Sequence, residues 1–367
     1  MLCGGEKGRA AARKARGGAE TAFARAAGNR RRFSSTDDPS APRRRRPRFA
    51  GGERFGGAAA HFFNHTDKKA PQRRGADEFT REREASGMIA ADIHTHTTFS
   101  CDGRSTIDEM AARARELGLT YYGISEHFNY DYDRLHLTID GEAVPPIDAA
   151  AYFARARALQ KENEGKLHIL VGAEFGFDHD SRVQERYCET ARRFKPDFII
   201  NSIHTCLGMD CYFPHYSEGR SKAFAYNAYL YRVLESLDAA YPYDVVAHLG
   251  YCARNAVYPD PKLRYADFAD VLDEILRRIV ARGKILEVNT SAKTAGSPFI
   301  PDVDILARYY ELGGREVSFA SDAHDITRIG EKYELVTDAL RKIGFTYITV
   351  PCRGEKIKLP LGDFSAS

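Results

Sequence analysis

Several features of secreted, membrane-spanning and dinucleotide-binding proteins are missing from this 367-residue chain. No apolar run approaches the roughly 18 residues that a bilayer-spanning helix needs, and the chain does not open on the apolar stretch of a secretory signal. Its seven scattered cysteines include no Cys-x-x-Cys pair, which favours free thiols in a reducing compartment. No Gly-x-Gly-x-x-Gly follows the first predicted strand, so nothing supports dinucleotide binding. We therefore expect a cytoplasmic protein that does not enter a membrane.

The net charge of +3 conceals two unlike segments. Residues 1–88 hold 21 Lys or Arg and 10 Asp or Glu, whereas residues 89–367 hold 33 and 41. Segment 1–87 is rich in Ala, Arg and Gly without helix or strand periodicity, so we predict a disordered basic extension. It could bind nucleic acid or an acidic membrane surface, or act as a transit peptide. Alternatively, the working chain could begin at Met88.

We favour a start at Met88, because the first predicted strand follows it directly. Residues 88–358 would then form one domain, followed by a short tail at 359–367. The acidic balance of this body argues against a nucleic-acid partner, since a polyanion requires a basic surface.

From residue 89 onward, short β-branched or aromatic runs alternate with longer amphipathic runs. The predicted strands are 89–95, 120–125, 167–175, 197–203, 243–249, 284–289 and 316–321, with a last short strand at 345–350. The predicted helices lie near 106–117, 148–164, 181–193, 221–239, 266–282, 302–312 and 331–343. Such alternation requires a parallel sheet, either open or closed into a barrel.

Metal-binding side chains stand at the carboxyl end of six of the seven predicted strands, and the seventh ends in Asn. The candidates are His94, His96, the loop residue Asp102, His127, Glu174, His204, His248, Asp322 and His324. This placement favours the barrel, because chemistry in such barrels collects at the carboxyl ends of the strands.

Nine such groups exceed what one ion can use, so we predict two to three divalent ions, with Zn, Mn and Fe as candidates. A carboxylate such as Glu174 could bridge two of them. Two adjacent ions would acidify a shared water to hydroxide and clamp a phosphoryl oxygen. The pattern therefore predicts a metal-dependent phosphoester hydrolase. Beyond a hydroxide held at Glu174 and its neighbours, no catalytic group or proton donor is indicated.

Six short motifs occur along the chain in a characteristic order. They are His94-x-His96 with Asp102, Ser-Glu-His at 125–127, Gly-Ala-Glu-Phe-Gly at 172–176, Ser-Ile-His at 202–204, Ala-His-Leu at 247–249 and Ser-Asp-Ala-His at 321–324. This order resembles the polymerase and histidinol phosphatase (PHP) superfamily over about 88–350, and within it the histidinol-phosphate phosphatase branch. The resemblance implies a distorted, TIM-like (β/α)7 barrel with a trinuclear metal site.

The same resemblance implies how the ligands are shared among the ions. The first ion would be held by His94, His96, Glu174 and Asp322, the second by Glu174, His204 and His248, and the third by Asp102, His127 and His324. The implied activity is hydrolysis of L-histidinol phosphate to L-histidinol and phosphate, a step of histidine biosynthesis. The alternative is another small phosphate ester, a nucleotide or a DNA end. No oligomeric state is implied.

Residues near the ligands are expected to bind substrate or to support the ligands. By resemblance Arg254 grips the phosphate, for which a guanidinium is suited, although a surface salt bridge is the alternative. Asn289 could bind substrate or only satisfy hydrogen bonds. Asp92 is expected to orient a histidine, and Glu126 to lie behind the ligands. Three further side chains could line a pocket for the imidazole: Tyr212, Phe213 and His215.

Overall fold

A set of parallel strands organises the computed structural model, which describes residues 89–139, 141–294 and 296–361. The strands are β1 (Ala91–Asp92), β2 (Tyr121–Ile124), β3 (His127–Phe128), β4 (Thr138–Ile139), β5 (Glu142–Ala143), β6 (His168–Gly176), β7 (Phe198–Ser202), β8 (Thr205–Cys206), β9 (Met209–Asp210), β10 (Val245–Val246), β11 (Ile285–Asn289), β12 (Val317–Ala320), β13 (Tyr347–Cys352) and β14 (Glu355–Pro360). The helices are α1 (Ile107–Glu116), α2 (Tyr130–Leu135), α3 (Ala149–Glu162), α4 (Ser181–Phe194), α5 (Lys222–Ser236), α6 (Ala269–Ala281), α7 (Val303–Glu311) and α8 (Tyr333–Ile343).

Seven of these strands form one parallel sheet in the order β1-β2-β6-β7-β10-β11-β12, and β3 adds a further parallel pairing with β6. The two ends of the sheet meet just beyond β1 and β12. There the His96 amide donates to the Ala323 carbonyl and the Asp322 amide to the His94 carbonyl, both at 2.8 Å. These bonds close the sheet, so the predicted (β/α)7 barrel is confirmed.

The helices pack on the outside of the barrel through apolar faces that recur at helical spacing. In α6 the buried positions are Val271, Leu272, Ile275, Leu276 and Ile279. Full burial of a Leu or Ile side chain contributes about 1.5–3 kcal/mol to folding, so faces of this kind hold the helical layer on the sheet. None of the helices in the described ranges has the length and hydrophobicity required to span a bilayer.

Some elements differ from their predicted bounds. β1 and β10 are two residues long, whereas the sequence predicts seven at each place, because ladder pairing stops where the chain turns into the loops at the rim. At His248 and Asp322 the backbone takes positive φ values of 23° and 52°, which an extended strand does not allow.

The last predicted strand belongs to an antiparallel hairpin, β13–β14, outside the barrel sheet. β14 reaches Pro360, two residues into the segment that the sequence analysis assigns to the tail. The predictions for residues 1–87, for a start at Met88 and for 362–367 lie outside the described residues.

Candidate metal centre

Glu174 lies at the centre of the carboxyl end of the barrel, on β6, and is fully buried. Its Oε1 lies 3.1 Å from the Nε2 atoms of both His204 and His248, and 3.4 Å from Nε2 of His94. Its Oε2 lies 2.5 Å from Nδ1 of His127. Imidazoles from four separate segments therefore converge on one carboxylate, which is the arrangement of a bridging ligand.

The predicted ligands of the first ion include two histidines from the extended segment that follows β1. Residues i and i+2 point to the same side of an extended segment, and the rings of His94 and His96 indeed lie with their centroids 5.0 Å apart. Asp322 completes the group, with its Oδ1 at 3.4 Å from Nε2 of His96 and 3.8 Å from Nε2 of His94. Potential ligand atoms of His94, His96 and Glu174 lie within 4.8 Å of one another.

The third predicted group lies at the more exposed side of the centre. Nε2 of His324 lies 3.1 Å from Oδ2 of Asp102 and 3.4 Å from Nε2 of His127. The remaining pair, His127 Nε2 and Asp102 Oδ1, is 3.7 Å apart. His127 also groups with Glu174 and His204, so the three predicted groups share one continuous cluster.

A tight loop brings Asp102 to this cluster. The Thr98 amide donates to the Ser105 carbonyl at 3.0 Å, and the Arg104 amide donates to the carbonyl of His324 at 2.8 Å. A Cβ atom on Gly103 would lie 1.8 Å from the Thr97 carbonyl oxygen, so only glycine allows the loop to close. Chain folding thus places a residue from outside the strands beside two rim histidines.

The donor set of the cluster fits divalent cations. The buried atoms His94 Nε2, His96 Nε2 and Glu174 Oε2 make no hydrogen bond of acceptable geometry among the described residues, although Glu174 Oε2 lies 2.5 Å from His127 Nδ1. Burial of a polar atom without a partner costs free energy, and imidazole and carboxylate atoms are ligands for Zn, Mn or Fe. A bound cation would satisfy all three atoms at once.

The charges of the cluster also favour bound cations. Burial alone would raise the pKa of Glu174, but the positive charges of His204, His94 and His127 hold it well below its usual value. Burial would likewise lower the pKa of His94, yet Glu287 and Glu174 raise it well above the usual range. The carboxylates thus require positive charge at the centre, which bound cations would supply in place of protons.

Two side chains that the sequence analysis did not assign hold ligands in place. Glu287 on β11 accepts a 2.7 Å hydrogen bond from Nδ1 of His94, and its other oxygen accepts from the His248 amide at 3.0 Å. Asn129 Oδ1 lies 3.1 Å from Nδ1 of His204. In both histidines a partner at Nδ1 leaves Nε2 directed at the centre. Position 287 could have been found from the sequence, because it shares its strand face with Asn289.

Asp92 has a different role from the predicted one. Its carboxylate accepts hydrogen bonds from the backbone amides of Ser321 at 3.0 Å and Gly330 at 2.9 Å, and not from a histidine ring. Burial raises the pKa of Asp92 to about 6. Asp92 therefore joins the first strand to the segment that follows the last, and the prediction that it orients an imidazole is wrong.

Glu126 lies behind the ligands, where the sequence analysis expects it. Its carboxylate accepts from the Ser100 hydroxyl at 2.5 Å and from the Thr97 hydroxyl at 2.6 Å. The same Ser100 oxygen accepts from the His127 amide at 3.0 Å and lies 3.3 Å from Nδ1 of His96. Glu126 thus reaches two ligand residues through one serine.

Arg254 is buried, with 6% of its surface exposed, so the alternative of a surface salt bridge is wrong. Its Nη2 donates to Oδ2 of Asp322 at 2.7 Å and to Oδ1 of Asn289 at 2.9 Å. Asn289 in turn donates to Glu287 at 2.8 Å, which satisfies its amide. The guanidinium is therefore held against a predicted metal ligand, and its contact with substrate remains a prediction.

A cavity of about 560 Å³ opens over the cluster. Asp102, His127, His204, Asp322 and His324 line its floor together with Arg254. Tyr212 and Phe213 line it as the sequence analysis expects, whereas His215 stacks on Phe213 outside the lining, with ring centroids 5.5 Å apart. Five of the predicted metal ligands and the candidate phosphate contact thus face one space of the size that a small molecule requires.

Replacing Glu287 by Gln is expected to weaken metal binding by about 10- to 100-fold. A Gln amide that donates to His94 Nδ1 would place the ring proton on Nε2, the atom directed at the centre. With its oxygen at His94 instead, the amide nitrogen would face the His248 backbone amide, which is also a donor. Metal content after dialysis at fixed free Zn²⁺ measures the effect.

Glu316→Gln is the control, because Glu316 accepts a 2.7 Å bond from the Thr349 hydroxyl away from the centre. Equal metal retention by both variants would contradict the role of Glu287.

Comparison with known proteins identifies the family. The model of the PHP domain matches residues 92–291, which is more than half of the chain. A protein of Clostridium acetobutylicum named "Probable histidinol-phosphatase" is 31% identical over 245 residues, with 66% of this chain and 89% of the relative covered. A protein of the same name from Thermotoga maritima is 29% identical over 259 residues, covering 71% and 94%.

A crystal structure supports the fold. The histidinol phosphate phosphatase of Lactococcus lactis, complexed with Zn, L-histidinol and phosphate, superposes with a TM-score of 0.64 at 24% identity. The match covers 74% of this chain and all of that structure. Together with the family model, these matches confirm the resemblance seen in the order of the motifs: the chain belongs to the PHP domain family.

Proposed function

We propose that the chain is a metal-dependent phosphomonoesterase that hydrolyses L-histidinol phosphate to L-histidinol and phosphate. The observation that carries the proposal is the cluster of nine candidate ligands, five of which line one cavity, with a buried arginine beside them. The relatives named "Probable histidinol-phosphatase" support the substrate, and this chain spans about nine-tenths of their length.

We assign three divalent ions to the groups that the sequence analysis defines, each of Zn, Mn or Fe. Bound there, the ions would supply positive charge and Lewis acidity to the phosphoryl group. Glu174 would contact two of them, since its two oxygens face different histidines. The side chains of the first group lie deepest, so the phosphate would approach from the side of His127 and His324, which border the cavity.

Arg254, which lines the cavity beside Asp322, would bind the phosphate together with the ligand cluster. Burial alone would lower the pKa of Arg254, but the Asp322 carboxylate raises it, so the guanidinium remains charged across the physiological range. Its Nη2 is engaged by Asp322 and Asn289, which fixes the plane of the group. A guanidinium held in this way offers its remaining N–H donors to phosphoryl oxygens.

Hydrolysis breaks the bond between phosphorus and the histidinol oxygen while a water oxygen bonds to phosphorus. The leaving alkoxide takes up a proton as it departs, and phosphate carries away the added oxygen. The cavity leaves room for the imidazole above the ligands, where the rings of Tyr212 and Phe213 line the wall.

A panel of phosphomonoesters tests the substrate. We expect kcat/KM for L-histidinol phosphate to exceed that for nucleoside monophosphates, sugar phosphates and a 3′-phosphorylated DNA end by about 100-fold or more, which corresponds to roughly 3 kcal/mol of differential transition-state binding. Steady-state kinetics on the full chain with each of the three metals measures the ratio. Preference for a nucleotide or a DNA end would assign the chain to another activity of the family.

A further inference from the structure

A carboxylate that is not among the predicted metal ligands also faces the cavity. Asp210, at the end of β9, lines the cavity with 8% of its surface exposed. Its Oδ2 accepts a 2.5 Å hydrogen bond from the Tyr132 hydroxyl, and its Oδ1 accepts from the Tyr212 amide at 2.8 Å. The Tyr251 hydroxyl lies 3.5 Å from Oδ1. The carboxylate is thus fixed in place by donors from three segments of the chain.

All of these donors are neutral, so none of these hydrogen bonds places a cation of the protein against the Asp210 carboxylate. In the ranges that the structure describes, no Lys, Arg or His nitrogen forms an ion pair with the Asp210 carboxylate. Burial and the carboxylate itself raise the pKa of Tyr132 well above its ordinary value, so this hydroxyl remains a donor. A largely buried carboxylate without a counter-charge is costly, and a cation in the cavity would remove that cost.

The surroundings of Asp210 suit an organic cation. Tyr132, Tyr212 and Tyr251 all line the cavity near the carboxylate. The faces of aromatic rings attract ammonium and guanidinium groups, and two of these rings already do so. Lys293 Nζ lies 4.7 Å from the centroid of Tyr212, and Arg254 Cζ lies 4.7 Å from that of Tyr251.

Tyr251 also connects the two ends of the cavity. Its ring lies 4.8 Å from that of His248 and 5.2 Å from that of His204, while its hydroxyl points to Asp210. A substrate whose phosphate contacts Arg254 and the ligand cluster would therefore extend its organic group along Tyr251 toward Asp210.

We propose that Asp210, framed by Tyr132, Tyr212 and Tyr251, is the specificity-determining residue that binds a positively charged nitrogen of the organic group of the substrate. The inference rests on the proposed phosphomonoesterase function and adds a residue to it: the carboxylate that would bind the ammonium or the imidazolium group of L-histidinol phosphate. Phosphate esters of neutral alcohols and sugars leave the Asp210 charge uncompensated, so the site selects against them.

Two esters that differ only by one amino group test the charge directly: 2-aminoethyl phosphate, which carries an ammonium group, and ethyl phosphate, which does not. A third, 3-(imidazol-4-yl)propyl phosphate, carries the imidazole of histidinol phosphate without its amine. In Asp210→Asn we expect kcat/KM for the cationic esters to fall by about 10- to 100-fold, mainly through KM, because a hydrogen bond to a charged group is lost. Ethyl phosphate offers Asp210 no cation, so its kcat/KM should fall much less than that of the cationic esters.

The control is Asp270→Asn, which removes the same charge from the exposed first turn of α6. If Asp210→Asn lowers kcat/KM for the amine ester, Asp210 binds the ammonium group. If it lowers kcat/KM for the imidazole ester, Asp210 binds the imidazolium group. Either result supports the inference. An equal loss for ethyl phosphate and the cationic esters, or no loss for any, would overturn it while leaving the phosphatase function intact. Absence of turnover of every ester by the unmodified chain with each metal would overturn both.

Discussion

Glu174→Gln is expected to lower kcat/KM for L-histidinol phosphate by about 1,000-fold or more, which corresponds to roughly 4 kcal/mol of transition-state stabilisation. One Glu174 oxygen lies within 3.4 Å of three histidine Nε2 atoms, and the other lies 2.5 Å from His127. A neutral amide offers one oxygen where the carboxylate offers two, so it cannot serve two ions equally. Kinetics with parallel metal analysis measures both consequences.

Glu287→Gln is the variant with which Glu174→Gln should be compared. It also removes a negative charge, but from a residue that contacts a predicted ligand and not a predicted ion position. Glu287 touches His94 through Nδ1 and has no direct contact with a predicted ion position. Its loss should therefore be smaller than that of Glu174→Gln at saturating metal. If Glu174→Gln retains both its full metal content and its turnover, the bridging role of Glu174 is contradicted.

Metal removal is expected to lower the melting temperature by about 10 °C as well as abolish turnover. A ligand at 1,000 times its Kd stabilises the folded state by about 4 kcal/mol, and for a domain of this size each kcal/mol shifts the melting temperature by roughly 2–4 °C. The buried carboxylates of Glu174 and Asp322 depend on positive charge nearby, which the ions would supply. Calorimetry before and after chelation, with re-addition of Zn, Mn or Fe, measures the shift.

Glu174→Gln provides the matched control for this measurement, since its melting temperature should respond much less to chelation. Identical melting curves for the unmodified chain with and without chelator would show that no stabilising ion binds at the rim.

The barrel and the clustering of the candidate ligands could be predicted because both follow from local patterns in the sequence. Every candidate ligand except the loop residue Asp102 stands near the end of a predicted strand, and strand ends of a parallel barrel meet at one rim. The resemblance of the motifs then supplied the family, which the PHP domain match confirms. The common direction of His94 and His96 was predictable because residues i and i+2 of an extended segment point to the same side.

The residues that hold the ligands were harder to predict, because their partners are distant in sequence. Glu287 is 193 positions from His94, and Asp92 is 229 positions from Ser321. A carboxylate within a strand gives no sign of which element will lie opposite it. The sequence therefore placed Asp92 beside a histidine, whereas barrel closure places it against two backbone amides.

The burial of Arg254 and the position of Asp210 were also beyond prediction from sequence. Both lie after the ends of strands that the sequence locates, but their exposure depends on how the loops fold over the rim. Arg254 is covered through its contacts with Asp322 and Asn289. Asp210 depends on Tyr132, 78 positions earlier, in a short helix that the periodicity of the sequence did not reveal.

The most direct test of the account is the turnover of L-histidinol phosphate by one preparation, measured as isolated, after complete chelation, and after divalent metal is restored. We expect phosphate release in the first and third samples and none in the second, with metal content following activity. Unchanged turnover of L-histidinol phosphate in the metal-free sample would contradict it.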